Sequence, residues 1–307
     1  MKKITLLVAV LALGIFFVSC NKEGKYNPKN KIDRIYQSSS YKYEVNHDGN
    51  WEMEEDGSTP KHVREIWNWD GNVLKSISYY NSDGSMEYTE DYGYDGKRLV
   101  SISRLDREQH WELNYEKGKL STMDLYDGTN KAISYEFIRD NGNISEIKIS
   151  VVGGEKSAVT RAPMNALRFF IPAANTESMM MAMAKINERH TTKDAFTYSI
   201  KLEWDGKNIS KTTYELGAYK EAYEFTYDEK LNPFYGMFDI EQYDAQGMLS
   251  KNNVTRYVSR DSDNDIDECN FTYTYSGKVP SSKSYVNAYN TEYSRSTYTY
   301  SDYYEYK

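Results

Sequence analysis

The chain has 307 residues, a formal net charge of -8, 30 tyrosines and 5 tryptophans. This acidic balance argues against nucleic acid and against anionic lipid surfaces as partners. The sequence holds 2 cysteines, Cys20 and Cys269. A chain of this length can build a hydrophobic core large enough to stabilise its fold.

The N-terminus has the pattern of a signal peptide. Lys2 and Lys3 precede an apolar run over residues 4–18 that is short for a membrane helix and ends just before Ser19 and Cys20. It resembles a bacterial lipoprotein signal, in which the cysteine thiol is acylated and the cysteine becomes the new N-terminus, although Phe17 stands where leucine is usual. The alternative is an ordinary secretory signal with an incidental cysteine.

We therefore predict a signal peptide over 1–19, a lipid anchor at Cys20 and a flexible tether over 20–31. Removal of Lys2 and Lys3 takes the net charge from -8 to about -10. Acyl chains on Cys20 would hold the protein on a membrane without spanning it. We expect the outer membrane as the location, with display on the cell surface as an option, because Lys22-Glu23 faintly resembles an acidic export signal.

The stretch "WNWDGNVLKSISYY", residues 67–80, predicts a β-hairpin. Aromatic and polar residues alternate before Asp70-Gly71, apolar and polar residues alternate after it, and Asp-Gly is typical of a tight primed turn. Alternation places Trp67 and Trp69 on one face of the strand. We expect that face to be the core, together with the remaining tryptophans that share the pattern, Trp111 and Trp204.

The same unit recurs along the chain, around Asp95-Gly96, Gly118, Asn141-Gly142, Asp205-Gly206 and Gly277. After the turn, an apolar residue such as Leu99 or Leu120 is followed by the next apolar residue three positions later. A step of three changes the face of a strand, so either the first residue points away from the others or a β-bulge follows the turn. We predict the bulge.

Repeated hairpins of this kind predict an all-β protein with roughly sixteen strands in an antiparallel meander. Such a wide sheet should close into a barrel or split into two packed sheets. The unit resembles YD-type and wall-associated repeats, and the chain resembles a family of Bacteroidetes-type lipoproteins of unknown function. That resemblance implies a porin-like barrel and no catalytic residues. We therefore predict one β domain over 32–307 that is a closed or nearly closed barrel.

The alternation stops over residues 152–194, which we predict to be an inserted arm with a short helix. Met179, Met180, Met183 and Ile186 fall at helical spacing. The methionines would either fill the barrel mouth as a plug or form an exposed docking surface, because methionine adapts to irregular partners. Met180 and Met183 are therefore candidate contact residues.

Two further candidates lie outside the arm. Trp51 breaks the core pattern and is the tryptophan we expect to be exposed, as a ring for ligand contact. Asp261, Asp263 and Asp265 alternate like the start of a calcium-binding loop, but Ile266 and Thr272 stand where that loop needs glycine and glutamate. A solvated acidic turn is the alternative to calcium, and we predict no other cofactor.

No motif for nucleophilic or metal-dependent catalysis appears, so the sequence predicts a non-enzymatic lipoprotein that is structural or binds a glycan or protein. One alternative is an outer-membrane pore. Against it, we expect Lys75, Glu90 and Arg104 on the side that would face lipid. The other alternative is a glycoside hydrolase whose carboxylate pair is formed only in the fold.

Overall fold

The computed structural model describes residues 23–104, 106–151, 196–216, 219–238, 245–260, 266–290 and 293–307. These residues form sixteen strands and one short helix. The strands are β1 Ile32–His47, β2 Asn50–Asp70, β3 Val73–Tyr80, β4 Met86–Asp95, β5 Arg98–Arg104, β6 Gln109–Glu116, β7 Lys119–Asp127, β8 Asn130–Asp140, β9 Asn143–Val151, β10 Phe196–Asp205, β11 Asn208–Leu216, β12 Tyr219–Leu231, β13 Asn252–Arg260, β14 Ile266–Ser276, β15 Val279–Asn290 and β16 Ser294–Tyr306. The helix, α1, spans Ala245–Leu249 between β12 and β13 and was not predicted.

The strands form a closed antiparallel barrel in which each strand pairs with its neighbours in sequence and β1 pairs with β16. The predicted all-β barrel is therefore confirmed. One end, the base, holds six two-residue turns among the described residues, at 71–72, 96–97, 117–118, 141–142, 206–207 and 277–278. The other end, the mouth, holds the turns at 48–49, 81–85 and 128–129. Val151 and Phe196, which flank the predicted arm, pair at the mouth.

The base turns depend on glycine. Gly71 and Gly96 have φ angles of 57° and 62°, where a residue with a Cβ is strained. Each is the first residue of its two-residue loop, because Asp70 pairs with Val73 and Asp95 with Arg98. The aspartates therefore end the strands and lie outside the loops, which differs from the predicted role of Asp-Gly as the two central residues.

The predicted bulges are confirmed. In the hairpin of β4 and β5, Tyr94 pairs with Leu99 while Gly93 pairs with Ser101, which leaves Val100 as the extra residue. Other hairpins repeat this shift after the turn, with extra residues Lys75, Ser121, Ser145, Ser210 and Ser281. The bulge returns the later apolar residues to the inner face.

The inner face of the barrel is the core. Trp67 is 1% exposed and Trp111 is 3% exposed, and Trp69 and Trp204 are partly buried against the same cluster. All four tryptophans thus occupy the predicted face.

At the base, two segments complete this core. Tyr26 packs its ring 6.4 Å from that of Trp67 and donates a hydrogen bond of 2.7 Å to the carbonyl of Pro233. The second segment connects β12 to β13 and adds the buried side chains Met237, Phe238, Met248 and Leu249.

Residues 23–31, which the sequence predicts as part of a flexible tether, lie against the base. The amide of Leu99 donates to the carbonyl of Gly24 at 2.8 Å, and the amide of Leu120 donates to the Glu23 carboxylate at 2.9 Å. Glu23 also contacts Arg139 at 2.6 Å and Lys119 at 3.2 Å. We call residues 23–31 the base strap.

The outer face of the barrel is polar. Strand positions opposite to the core carry charged, amide and hydroxyl side chains, such as Thr89, Asp91, Glu112, Glu136, Lys148, Thr197, Lys201, Glu203, Lys211, Glu224, Arg256 and Thr272. Lys75 is exposed, as predicted, but the placement of Glu90 and Arg104 on this face was wrong. Glu90 is 0% exposed and pairs with Ile77 and Arg104 on the inner face. Tyr92 lies in the core, and residues two positions apart on a strand share a face, so alternation from Tyr92 places Glu90 on the inner face.

Candidate functional site

One side of the barrel is taller than the other. β2 pairs with β3 over Glu65 to Asp70, near the base. The same strand pairs with β1 over a greater length, up to the pair of Asn50 with His47 at the mouth. β15 and β16 pair with each other up to Asn290 and Arg295. We call the sheet formed by β2, β1, β16 and β15 the tall wall.

The two faces of the tall wall are fixed by Tyr304, which packs on the core at a ring distance of 6.1 Å from Phe234. No register shift interrupts the pairing of β16 with β15 over the described strands, or with β1 beyond Arg34. Every second residue from Tyr304 therefore faces inward. Among the described side chains, this inner face carries five tyrosines that are at least partly exposed, which we call the tyrosine face: Tyr41, Tyr43, Tyr285, Tyr298 and Tyr300.

The rings of the tyrosine face are ordered by their neighbours. Tyr41 and Tyr298 stack with centroids 6.1 Å apart, and Tyr285 and Tyr300 stack at 5.1 Å. The hydroxyl of Tyr41 donates to Glu55 at 2.5 Å. A Cβ at Gly57 would overlap the Tyr41 ring, so glycine is needed at that position for the ring to lie across β2.

Below the tyrosine face lie Asp302, Lys283 and Gln37, which are opposed across three neighbouring strands. Gln37 donates to the Asp302 carboxylate at 3.3 Å. Burial raises the pKa of Asp302, while Lys283, Gln37 and Arg64 oppose that shift. Aromatic rings, a carboxylate, an ammonium group and an amide thus share one partly exposed surface.

Carboxylates are also buried deeper in the barrel, where they accept hydrogen bonds from aromatic side chains. Glu65 accepts from Trp67 at 2.8 Å, and Glu90 accepts from Tyr79 at 3.1 Å. Glu221 accepts from Tyr223 at 2.7 Å. Such bonds satisfy groups that are costly to bury alone. Within the described part of the chain, His, Cys, Asp and Glu form no group of three that could hold a metal ion.

Of the sequence-predicted ligand and metal residues, the structure describes Trp51. Trp51 is 36% exposed and lies on the outer face of the tall wall, where the Arg295 guanidinium is 4.6 Å from its ring centroid. Met180 and Met183 lie outside the described residues, as do Asp261, Asp263 and Asp265, so the arm and the calcium site remain predictions.

The tyrosine face was not predicted as a site. Its signal is present in "STYTYSDYYEY", residues 296–306, where tyrosine alternates with Ser, Thr and Asp. From the sequence pattern alone, such alternating tyrosines are predicted to lie in the core. Their exposure follows from the unequal heights of the walls, which the alternation does not encode.

Among the residues that the structure describes, every helix is too short or too polar to span a bilayer. No family model matches the sequence, and no curated protein matches it. Among solved structures, one described as a porin-like protein from Bacteroides uniformis ATCC 8492 has a TM-score of 0.46 and 11% identity, covering 89% of this chain and 98% of that chain. Another, described as a porin-like protein from Bacteroides vulgatus ATCC 8482, has a TM-score of 0.40 and 11% identity, covering 87% of this chain and 97% of that chain. Both likenesses are distant, and the barrel is established by its own strand pairing.

Proposed function

We propose that the protein is a non-enzymatic, lipid-anchored protein of the outer membrane that binds a glycan on the tyrosine face. The observation that carries this proposal is the set of ordered, partly exposed inner tyrosines, Tyr41, Tyr43, Tyr285, Tyr298 and Tyr300, above Asp302, Lys283 and Gln37.

The chemistry of this surface suits a saccharide. Tyrosine offers a flat apolar ring and a hydroxyl at low cost in side-chain entropy, and sugars present flat C–H faces edged by hydroxyl groups. The carboxylate of Asp302 accepts hydrogen bonds, and the Lys283 ammonium and the Gln37 amide donate them. A binding surface needs a few such polar groups to fix the orientation of its ligand.

The polar outer face supports a barrel that stands in water and argues against the alternative of a transmembrane pore. A membrane barrel presents an apolar band to lipid, flanked by aromatic girdles. Here that band would place Glu112, Lys148 and Lys201 in hydrocarbon. Acyl chains on Cys20 would then supply the membrane attachment that the barrel surface does not.

A glycan array with the mature chain carrying Cys20→Ser tests the binding proposal. We expect selective binding to a class of oligosaccharides, without cleavage when the bound glycans are examined by mass spectrometry. Cleavage products would instead support the glycoside hydrolase, with Glu65 and Glu90 as the first carboxylates to replace by glutamine. Binding to no glycan would contradict the proposed function.

Fractionation of cells tests the anchor. The wild-type chain should be recovered with the outer membrane, and the Cys20→Ala chain should be recovered in the soluble fraction. Recovery of the Cys20→Ala variant in the membrane would contradict a water-facing barrel and favour the pore.

A further inference from the structure

The base strap fixes where an anchor at Cys20 would emerge from the barrel. Glu23 binds Arg139, Lys119 and the amide of Leu120, and its own amide donates to the carbonyl of Gly118 at 3.2 Å. All of these groups lie at the base. The strap therefore leaves the barrel at the base, which is the end opposite to the mouth and the tyrosine face.

Little chain separates this point from the lipid. Two residues, Asn21 and Lys22, stand between Cys20 and Glu23. Fully extended chain spans at most about 3.6 Å per residue, so that three peptide steps reach roughly 11 Å. A base held within that distance of the acyl chains lies against the headgroups of the same leaflet.

The outermost side chains of the base suit an anionic surface. Among the described base turns, four carry an exposed lysine in the loop: Lys97, Lys117, Lys207 and Lys278. The other two carry asparagine there, Asn72 and Asn141. Five exposed acidic residues end the strands directly before these loops: Asp70, Asp95, Glu116, Asp140 and Asp205. The lysines thus lie in the loops, at the tips of the turns, whereas the acidic residues lie at the strand ends behind them.

We infer that the barrel stands with its base on anionic phospholipid headgroups and its mouth directed away from the membrane. This rests on the proposed anchor at Cys20. It differs from the expectation that an acidic chain avoids anionic lipid, because attraction to a surface depends on the charges nearest to it and is screened within about 10 Å at moderate salt. The tyrosine face then points to where a soluble or cell-wall glycan can reach it.

Depth-dependent quenching of a fluorescent probe on the acylated protein tests the inference. Lys97→Cys and Thr129→Cys form a matched pair, because each is the second residue of a two-residue turn whose first residue is a glycine with positive φ. Cys269 is 1% exposed and burial raises its pKa to about 11, so labelling goes to the introduced thiol. The protein is placed in vesicles of phosphatidylcholine with or without phosphatidylglycerol, with a quencher on the lipid headgroups.

We expect strong quenching at position 97 and weak quenching at position 129. Phosphatidylglycerol should raise the quenching at 97, and salt should reverse that rise. The Lys117→Gln, Lys207→Gln, Lys278→Gln variant should lose the effect of phosphatidylglycerol. The control variant Lys42→Gln, Lys148→Gln, Lys211→Gln changes three lysines of the outer wall and should keep the effect.

The intact mass of each sample shows whether Cys20 is acylated, which separates two failures. An absence of acyl mass overturns the anchor and this inference together. An acylated sample in which both probes are quenched equally, or position 129 more than position 97, overturns the inference alone. Equal loss of the phosphatidylglycerol effect in both lysine variants overturns the role of the base lysines.

Discussion

The hydroxyl of Tyr115 donates a hydrogen bond of 2.8 Å to the carbonyl of Leu99 on the preceding strand. Leu99 comes directly before the bulged residue Val100, where strand pairing is interrupted. The same contact recurs around the base, where a side chain near the end of an even-numbered strand donates to the residue before a bulge on the preceding strand. The described residues supply five more such bonds: Trp69 to Ile32, Arg139 to Leu120, Trp204 to Ile144, Tyr227 to Ile209 and Tyr306 to Pro280.

This relationship explains the repeated sequence unit. In these six cases the donor is Arg139 or an aromatic residue with an N–H or O–H group, and the residue before the bulge of the adjacent hairpin provides the acceptor. Backbone amides next to the bulges bind the base segments, since Leu99 donates to Gly24 and Ile209 donates to Ser250 at 3.0 Å. The repeat therefore joins neighbouring hairpins and also seats the base strap.

Removal of one of these donors should destabilise the barrel. Tyr115→Phe keeps the ring and leaves the Leu99 carbonyl without its side-chain donor, which should lower the free energy of unfolding by about 1–2 kcal/mol. Denaturant titration measures the loss. Tyr126→Phe removes a hydroxyl from the outer face and serves as the control, with an expected change below about 0.5 kcal/mol. Equal stability of the Tyr115→Phe variant and the wild type would show that this bond does not support the fold.

The base turns should not tolerate a β-branched residue at the glycine. Gly96 has a φ angle of 62°, so Gly96→Val should cost at least about 1–2 kcal/mol and lower the melting temperature. Lys97→Val is the matched control at the adjacent loop position, which does not have positive φ. Similar melting temperatures for the two variants would contradict the turn register.

The base strap should loosen when Glu23 loses its charge. The side chains of Glu23 and Arg139 are each 18% exposed, and burial lowers the pKa of Arg139. Glu23→Gln would leave that guanidinium without its carboxylate, which should cost about 1–3 kcal/mol. Trypsin should then cleave faster after Lys25 in the variant. Glu116→Gln, at an exposed site of the base, should leave the cleavage rate unchanged. Unchanged cleavage in Glu23→Gln would mean that the other strap contacts suffice.

The buried carboxylate of Asp302 should lower the stability of the fold at neutral pH while serving glycan binding. Its pKa is raised in the fold, so the charged form is disfavoured there relative to the unfolded chain. The resulting loss of stability is present at neutral pH and disappears as the pH falls through the folded pKa toward about 3.9, the ordinary value.

Asp302→Asn should therefore melt at a higher temperature than the wild type at pH 7, and the difference should shrink as the pH falls to about 4. The variant should also bind the array ligand more weakly, because the carboxylate is lost. A variant that is less stable than the wild type at pH 7 would show that the pairing with Lys283 and Gln37 outweighs burial.

The features of the fold that repeat along the chain could be predicted from the sequence, whereas the orientation of two charged side chains and the exposure of the tyrosine face could not. The hairpins, the closed sheet, the bulges and the inward tryptophans follow from alternation and glycine, which are local signals. Glu90 and Arg104 were misplaced because a charged side chain is ordinarily assigned to the solvent face. Their inward orientation depends on the strand register.

The candidate site depends on relationships that no local pattern contains. Tyr41 and Tyr298 lie at opposite ends of the chain and meet only because β1 closes the barrel onto β16. The docking of Glu23 on Arg139 is equally non-local, and the polar composition of residues 20–31 predicts a flexible segment instead.

Calorimetric titration of two matched double variants with the array ligand tests the central claim most directly. Tyr41→Ala with Tyr298→Ala removes a cross-strand pair from the inner face, and Tyr36→Ala with Tyr303→Ala removes a cross-strand pair from the outer face of the same two strands. Our account predicts that the inner variant loses affinity at least about tenfold, equivalent to about 1.4 kcal/mol, while the outer variant binds like the wild type. Equal affinity of the two variants, or a loss confined to the outer variant, would contradict glycan binding on the tyrosine face.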